Sequence, residues 1–303
     1  MMTFGRHAAL VGTTASGKSA LALALATADP AWEIVSVDSM QVYRGMDIGT
    51  AKPTAEEQAA VPHHLLDVLD PWEDGTVAWF QRAAQAVIAD IEARGKRALL
   101  VGGTGLYVQA VVDDLDIPGQ YPEARAAIDE EQDTAALHEQ LVDLDPIAAS
   151  RVDPANRRRI LRALEVTVGS GRHFSSYGPG IDAHPACAFT LVGISRAPED
   201  LVARIEARFV DQMAAGLLEE VRRLRAHPLG MSRTAAQALG YKELAAHLDG
   251  EKTLDGAVEL AVTRTRQLAR RQRAWFRRDP RIQWLDGATD LNHLVAALAA
   301  AVG

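Results

Sequence analysis

From Gly12 to Ser19 the chain reads Gly-Thr-Thr-Ala-Ser-Gly-Lys-Ser, which satisfies the P-loop pattern at every specified position. The backbone N–H groups of such a loop surround phosphate oxygens, and the helix that follows adds the positive end of its dipole. Lys18 contributes a full charge, and the Ser19 hydroxyl can reach a magnesium ion. Gly12, Thr13, Thr14, Ala15, Ser16, Gly17, Lys18 and Ser19 are therefore a candidate diphosphate cradle, with Ser19 the candidate Mg2+ ligand. The motif alone leaves open whether the phosphates belong to a nucleotide such as ATP or to another diphosphate.

Two further positions suit chemistry on a bound phosphate ester. Asp38 closes an apolar alternation, at the carboxyl end of an expected strand, where a carboxylate can accept a proton, bind a metal or simply cap a loop. Thr104 follows Gly102-Gly103, small residues that let backbone and hydroxyl approach a ligand; a hydroxyl satisfying its own loop is the plainer reading. Arginines form two groups. Arg157, Arg158, Arg159 and Arg162 lie mid-chain, and seven arginines without an acid lie between Arg264 and Arg278. Arg266, Arg270, Arg273 and Arg277 recur at helical spacing, so one stripe facing phosphates is expected, beside the ordinary alternative of a solvated face. His63 and His64 read as structural, because no ligand cluster accompanies them.

Positioning these residues requires strands that end at one edge. Ala8–Val11 is a short apolar run ending in Gly12, and Ser19–Ala28 is rich in Ala and Leu, so strand, glycine loop and helix follow in order. Further strands are expected at Glu33–Val37, His64–Leu69, Arg97–Val101, Phe189–Ile194 and Ile282–Leu285. Thr76 caps a helix to about Arg94, with Gly95 as its terminator. Strands alternating with helices predict an α/β fold with a P-loop-containing parallel sheet flanked by helices. After Leu115 the pattern turns helical through Glu165, Gly169–Pro185 reads as a loop, and a mainly helical domain inserted into the sheet is expected. The expected division is 1–115 for the first part of the core, 116–188 for the insertion and 189–303 for the second part. That second part holds helices from about Pro198 to Arg278 and a closing helix at Leu291–Val302.

The 303 residues are 48% hydrophobic and 24% charged, enough apolar content for a substantial core and unlike a disordered chain. Cys187 is the single cysteine, so an internal disulfide is excluded and a reducing compartment fits. The stretch from Met1 to His7 has no long apolar region, and no run approaches the roughly 20 apolar residues of a membrane span. A cytoplasmic monomer is expected. The net charge of −8 argues against a uniformly basic surface and leaves local basic clusters as the route to nucleic acid.

Several blocks, in order, resemble the tRNA dimethylallyltransferase family of the bacterial type. They are Ser36–Pro53, Pro62–Asp67, Gly102–Tyr107, Arg159–Val166, Gly240–Glu243 and Arg266–Gln272 with Trp275–Arg277, and together they span nearly the whole chain. Thr13 stands where the family usually has proline, Met40 fills a variable position, and the segment before Arg125 is shorter than in many relatives. The resemblance implies transfer of a dimethylallyl group from dimethylallyl diphosphate to the exocyclic N6 amine of the adenosine 3′ to the anticodon. Under it Asp38 is the general base, Thr104 lies beside adenine and diphosphate, and Arg208 approaches the diphosphate. It also implies tRNA contacts at Asp38, Ser39, Met40, Gln41, Thr104, Arg125, Arg158, Arg159, Ile160, Leu161, Arg162, Arg270, Arg273 and Arg277, with the anticodon stem-loop as partner.

Three other functions share parts of this pattern. A small-molecule P-loop kinase explains the glycine loop, Asp38 and the arginines, but not the ordered distal blocks. Prenylation of free AMP leaves the insertion and basic helices without a role. A nucleotide-gated RNA-binding protein without catalysis does not need Asp38 and Thr104 beside an intact P-loop.

Overall fold

The computed structural model describes residues 7–303; the reading of residues 1–6 as free of a long apolar region lies outside the described residues. In chain order, β1 (His7–Gly12), α1 (Lys18–Ala28), β2 (Trp32–Val37), α2 (Ala55–Ala60), β3 (His63–His64), α3 (Val77–Ala93), β4 (Arg97–Gly102) and α4 (Gly105–Val112) come first. The helices α5 (Pro122–Asp129), α6 (Thr134–Leu144), α7 (Pro146–Arg151) and α8 (Arg157–Ser170) follow. Then come β5 (Phe189–Ser195), α9 (Pro198–Ala214), α10 (Leu217–Arg225), α11 (Tyr241–Leu248), α12 (Leu254–Phe276), β6 (Gln283–Asp286) and α13 (Leu291–Val302). Six parallel strands are ordered β3-β2-β4-β1-β5-β6, which is the α/β architecture expected from the alternation.

The central strands are apolar at nearly every position because both sheet faces are covered. Ala9 and Val11 of β1, Val35 and Val37 of β2, and Ala98 and Leu100 of β4 face a core completed by α3, α4 and α9–α12. The intervening Ala8, Leu10, Ile34, Leu99 and Val101 face a second core with Leu21 and Leu25 of α1 and Leu294 and Leu298 of α13. This is the two-residue period of a strand read directly in burial.

The expected strand His64–Leu69 is reduced to His63–His64. Leu65 and Asp67 adopt left-handed backbone, φ 62° and 55°, which turns the chain out of the ladder. Only the isolated bridge Tyr43–Leu69 restores pairing in this region. Helix α2 was not legible as apolar periodicity; it rests on a capping box in which Thr54 and Glu57 satisfy each other's backbone N–H. Within Gly169–Pro185, read as a loop, Phe174–Tyr177 forms a 3-10 turn.

The chain forms two compact units: the described part of Met1–Asp113 together with His184–Gly303, and Asp114–Ala183. The expected boundaries at 115/116 and 188/189 fall a few residues later. The smaller unit has its own apolar centre, in which Leu137 and Leu141 of α6 meet Ile160, Leu161 and Leu164 of α8.

Candidate active site

Strand register brings the chemistry-bearing residues to one edge of the larger unit. Val37 pairs with Gly102, Val11 with Gly102, and Gly12 with Ile194. The residues that follow, Asp38, Thr104, the P-loop and Arg196, therefore leave the sheet side by side at its carboxyl end, where open α/β sheets place ligands.

The P-loop is built as an anion nest. Ala15 at φ 62° and Gly17 at φ 99° hold left-handed backbone. No side chain caps α1 at Gly17, so the first amides of the helix remain directed at a ligand. Lys18 Nζ folds back to donate to the Thr13 carbonyl at 3.2 Å. Three arginines from the second half of the core clasp the loop. Arg196 Nε donates to the Ser16 carbonyl at 2.8 Å, Arg204 Nε to the Ala15 carbonyl at 2.7 Å, and Arg208 Nη2 to Thr14 Oγ1 at 2.7 Å. Arg208 Nε is buried without a partner, so its fork keeps donor capacity in this loop.

Gln272 of α12 joins two loops. Its Oε1 accepts from Thr14 N at 2.8 Å and its Nε2 donates to the Gly103 carbonyl at 2.9 Å. A Cβ on Gly103 would lie 2.5 Å from Gln272 Nε2, and one on Gly105 2.3 Å from the Trp275 ring. Glycine at both positions lets α12 close over the loop that carries Thr104. Thr104 Oγ1 in turn accepts from Ser39 N at a long 3.4 Å, tying that loop to Asp38's.

Asp38 Oδ1 accepts from Met40 N at 2.9 Å and from Gln41 N at 3.4 Å, a capping arrangement that shapes the turn. Oδ2 makes no hydrogen bond among the described residues and is free to receive a proton or a cation. Gln41 is held inward: Ser36 Oγ donates to its Oε1 at 2.7 Å, and its Nε2 donates to the carbonyls of Thr50 and Ala51, each at 3.1 Å.

The field in this cluster is coupled. Burial lowers the Lys18 pKa to about 8, with Asp38 opposing the shift and Arg208 adding to it. Burial lowers Arg208 as well, again opposed by Asp38 and reinforced by Arg204. Tyr107 is pushed up to about 12 by burial, with Tyr43 and Asp38 adding to the shift. Burial-shifted cations beside a carboxylate at a strand end mark this cluster as a candidate functional site. A cavity of about 160 Å³ adjoins the loop on its β5 flank, lined among others by Gly12, Thr13, Arg196, Arg273, Arg277 and Trp284.

Magnesium fits the donors here in a limited way. Ser19 is exposed at the start of α1, and no group of three metal-ligating side chains occurs among the described residues. The Ser19 hydroxyl is the kind of single oxygen ligand that magnesium takes when phosphate and water complete its shell.

The arginines divide differently from the expected stripe. Arg266 pairs with Glu206 of α9 and Arg264 with Glu243 of α11. Arg273 is half-buried and lines the cavity with Arg277, while Arg270 and Arg271 are exposed. Within the smaller unit Arg158 and Arg159 are exposed on α8. Arg162 instead donates to Glu165 Oε1 at 2.6 Å and to the Pro118 carbonyl at 2.8 Å, and Arg125 lies 3.8 Å from the same carboxylate. Ile160 and Leu161, expected at the RNA, have their side chains in the apolar centre, 0% and 2% exposed. They face inward because α8 presents its apolar stripe to α6.

Sequence reasoning did not single out Arg196, Arg204 or Gln272. Each reaches the P-loop across 180 or more positions, and the available signals were that Gln272 falls inside a family-like block and that Arg204 lies one helical turn before Arg208.

A parallel α/β sheet with a P-loop, a carboxylate at a nearby strand end and arginines over the loop defines an α/β protein of the P-loop class. The sequence model of IPP transferases matches residues 41–279, and the chain belongs to that family. It is 48% identical over 295 residues to a tRNA dimethylallyltransferase of Kineococcus radiotolerans, covering 94% of this chain and 92% of that one. It is 46% identical to one of Streptomyces coelicolor, covering 97% and 95%. The fold matches the crystal structure of the full-length tRNA isopentenylpyrophosphate transferase of Bacillus halodurans, TM-score 0.71, 36% identity, covering 97% and 96%. It also matches a eukaryotic dimethylallyltransferase acting on tRNA, TM-score 0.79, 28% identity, covering 97% of this chain and 77% of that one.

Proposed function

We propose that this protein is a tRNA prenyltransferase that moves a dimethylallyl group from dimethylallyl diphosphate to the N6 amine of the adenosine 3′ to the anticodon, releasing diphosphate. The observation that carries the reading is the convergence of the P-loop, Lys18, Arg208 and Thr104 on the strand edge that also bears Asp38, in a chain of the IPP transferase family.

The diphosphate lies in the P-loop, where amides, Lys18 and Arg208 meet its oxygens. The adenine amine attacks the allylic carbon, the carbon–oxygen bond breaks, and the bonding pair leaves with the diphosphate. Asp38 takes the proton released by the amine, a role worth about 10²–10⁴-fold in rate. Lys18 and Arg208 neutralise charge that grows on the leaving oxygen, and each such donor is worth about 10²–10³-fold. Ser19 is the residue that would hold a magnesium ion, which would add further neutralisation of the diphosphate. An unpaired loop base is the cheapest to bring to such an edge, since no stem has to open. Phosphate contacts come from the exposed Arg158, Arg159, Arg270 and Arg271. The same reading takes the protein as a cytoplasmic monomer. Separately, no helix among the described residues is long and apolar enough to cross a membrane.

Mass spectrometry of nucleosides from unmodified tRNA incubated with protein, Mg2+ and dimethylallyl diphosphate tests the reading. N6-dimethylallyl adenosine next to the anticodon is expected. Transfer to AMP and not to tRNA, or phosphorylation of a small molecule by ATP with no prenyl transfer, overturns it.

A further inference from the structure

Glu220 of α10 is 2% exposed, carries no part of the chemistry above, and receives an unusual number of donors. Its Oε2 accepts from Asp47 N at 3.1 Å and Ile48 N at 3.0 Å. Its Oε1 accepts from Ile48 N at 3.2 Å, Gly49 N at 3.3 Å and the Tyr241 hydroxyl at 2.5 Å. Gln212 of α9 completes the grip by donating Nε2 to the carbonyls of Ile48, 2.7 Å, and Gly49, 3.1 Å. A Cβ on Gly49 would stand 2.3 Å from the Tyr241 ring, so the backbone lies flat against it. Burial and the neighbouring Glu220 carboxylate push the Tyr241 hydroxyl pKa well above its ordinary value, which keeps it a donor.

The gripped residues belong to the loop that begins at Asp38. Gln41 binds Thr50 and Ala51 on one side and Ser36 of β2 on the other. Thr50 Oγ1 binds the Met46 carbonyl, and Lys52 Nζ binds the Tyr43 carbonyl, Asp47 and Asp67. A displacement at residues 47–49 is therefore passed through Thr50 and Gln41 to the turn that Asp38 caps. We propose that Glu220, with the Tyr241 hydroxyl, is a positioning residue that fixes the Asp38–Lys52 loop and so sets where Asp38 meets the adenine amine. The inference rests on Asp38 working in the transfer described above.

Glu220→Gln is the informative change because it keeps shape and reverses one set of contacts. A carboxamide presents one oxygen and one NH2, so N–H groups of the loop would face N–H groups of the side chain. Misplacement of a reacting group by about 1 Å is enough to cost about 10²-fold in rate.

The experiment uses the full chain with dimethylallyl diphosphate and an unmodified anticodon stem-loop RNA. It compares single-turnover transfer, inorganic pyrophosphate affinity and amide hydrogen exchange in wild type, E220Q and Y241F. Expected in E220Q are transfer slowed by about 10–100-fold, pyrophosphate affinity within about twofold, and faster exchange confined to residues 39–52. In Y241F, which loses one of the donors and keeps the carboxylate, transfer slows by about 3–10-fold. E220Q transferring at the wild-type rate overturns the inference. So does a loss in which pyrophosphate binding and protection across the whole larger unit fall together, the signature of a merely structural residue. If E220Q does not fold, Y241F decides alone, and an unslowed Y241F overturns the inference. Wild type that transfers nothing sinks the functional reading and this inference together, whereas an active wild type with an unslowed E220Q sinks this inference only.

Discussion

Burial leaves Lys18 with a pKa of about 8, Asp38 pulling it up and Arg208 pushing it down, so its charge changes within a range open to experiment. A bound diphosphate favours the protonated amine. Below pH 8 the free protein already carries that proton, and binding needs none. Above pH 8 binding must take one up, so affinity for dimethylallyl diphosphate should fall by up to about tenfold per pH unit. Titrations between pH 7 and 9.5 should show this bend in wild type and none in Lys18→Ala. Removing the repelling neighbour in Arg208→Ala should move the bend to higher pH while weakening binding overall. A wild-type affinity flat through pH 9 would contradict a Lys18 amine lowered to about 8 in the free protein. Asp38→Asn makes a different prediction, because it preserves a side-chain oxygen for Met40 N while abolishing the base. Diphosphate affinity should hold and single-turnover transfer should drop by about 10²–10⁴-fold; transfer near the wild-type rate would remove Asp38 from the proton's path.

At the level of elements, the arginine-rich helix α12 marks where local sequence stops being informative. Among seven arginines without an acid, Arg266, Arg270, Arg273 and Arg277 read as one basic stripe, yet Arg266 meets Glu206, 60 positions away on α9, just as Arg264 meets Glu243, 21 positions away on α11. The P-loop, the strand end before Asp38 and the glycines before Thr104 were legible because each is a short pattern with its own backbone requirement. The clasp of Arg196, Arg204 and Gln272 was not, since it exists only after β5, α9 and α12 have packed. Ile160 and Leu161 show a related limit: a block of family-like sequence mixes residues whose side chains stay exposed with residues whose side chains hold the helix. The pairing pattern sorts the arginines experimentally. Arg270→Ala with Arg271→Ala, both exposed, should weaken RNA binding and flatten log Kd against log salt by about one unit per lost phosphate contact. Arg158→Ala with Arg159→Ala should behave alike. Arg264→Ala should instead leave the salt slope unchanged and lower the melting temperature, because it strips the partner from a fully buried Glu243 carboxylate. Equal slopes in all these variants would refute the sorting.

Across the whole molecule the sheet separates stability from chemistry by using opposite ends of the same strands. Asp38 follows the carboxyl end of β2, while Glu33, near its amino end, is anchored about five residues or roughly 16 Å away. Glu33 is 1% exposed and meets His64 at 2.7 Å, Lys96 at 3.2 Å and the Arg94 fork through both carboxylate oxygens. Burial opposes its ionisation, but the hydrogen bonds from Arg94, His64 and Lys96 outweigh that and bring its pKa down to about 2. A carboxyl depressed in the folded state stabilises the fold at pH above its unfolded value, near 4.5, and loses that contribution as pH falls towards 2. The cluster ties β2 to the ends of α3 and β3, so its loss should be felt as global stability. Glu33→Gln should be less stable than wild type by on the order of 2 kcal/mol at pH 7. In urea unfolding from pH 7 to pH 2.5, that gap should stay constant down to about pH 5 and then close as the wild-type carboxyl takes up its proton. At a temperature well below both melting points, E33Q should transfer at the wild-type rate, since the strand end that carries Asp38 is held by Gly102 of β4 and not by this cluster. A gap independent of pH would show that packing, not charge, holds this end of the sheet, and a slowed E33Q would show that the two ends are coupled.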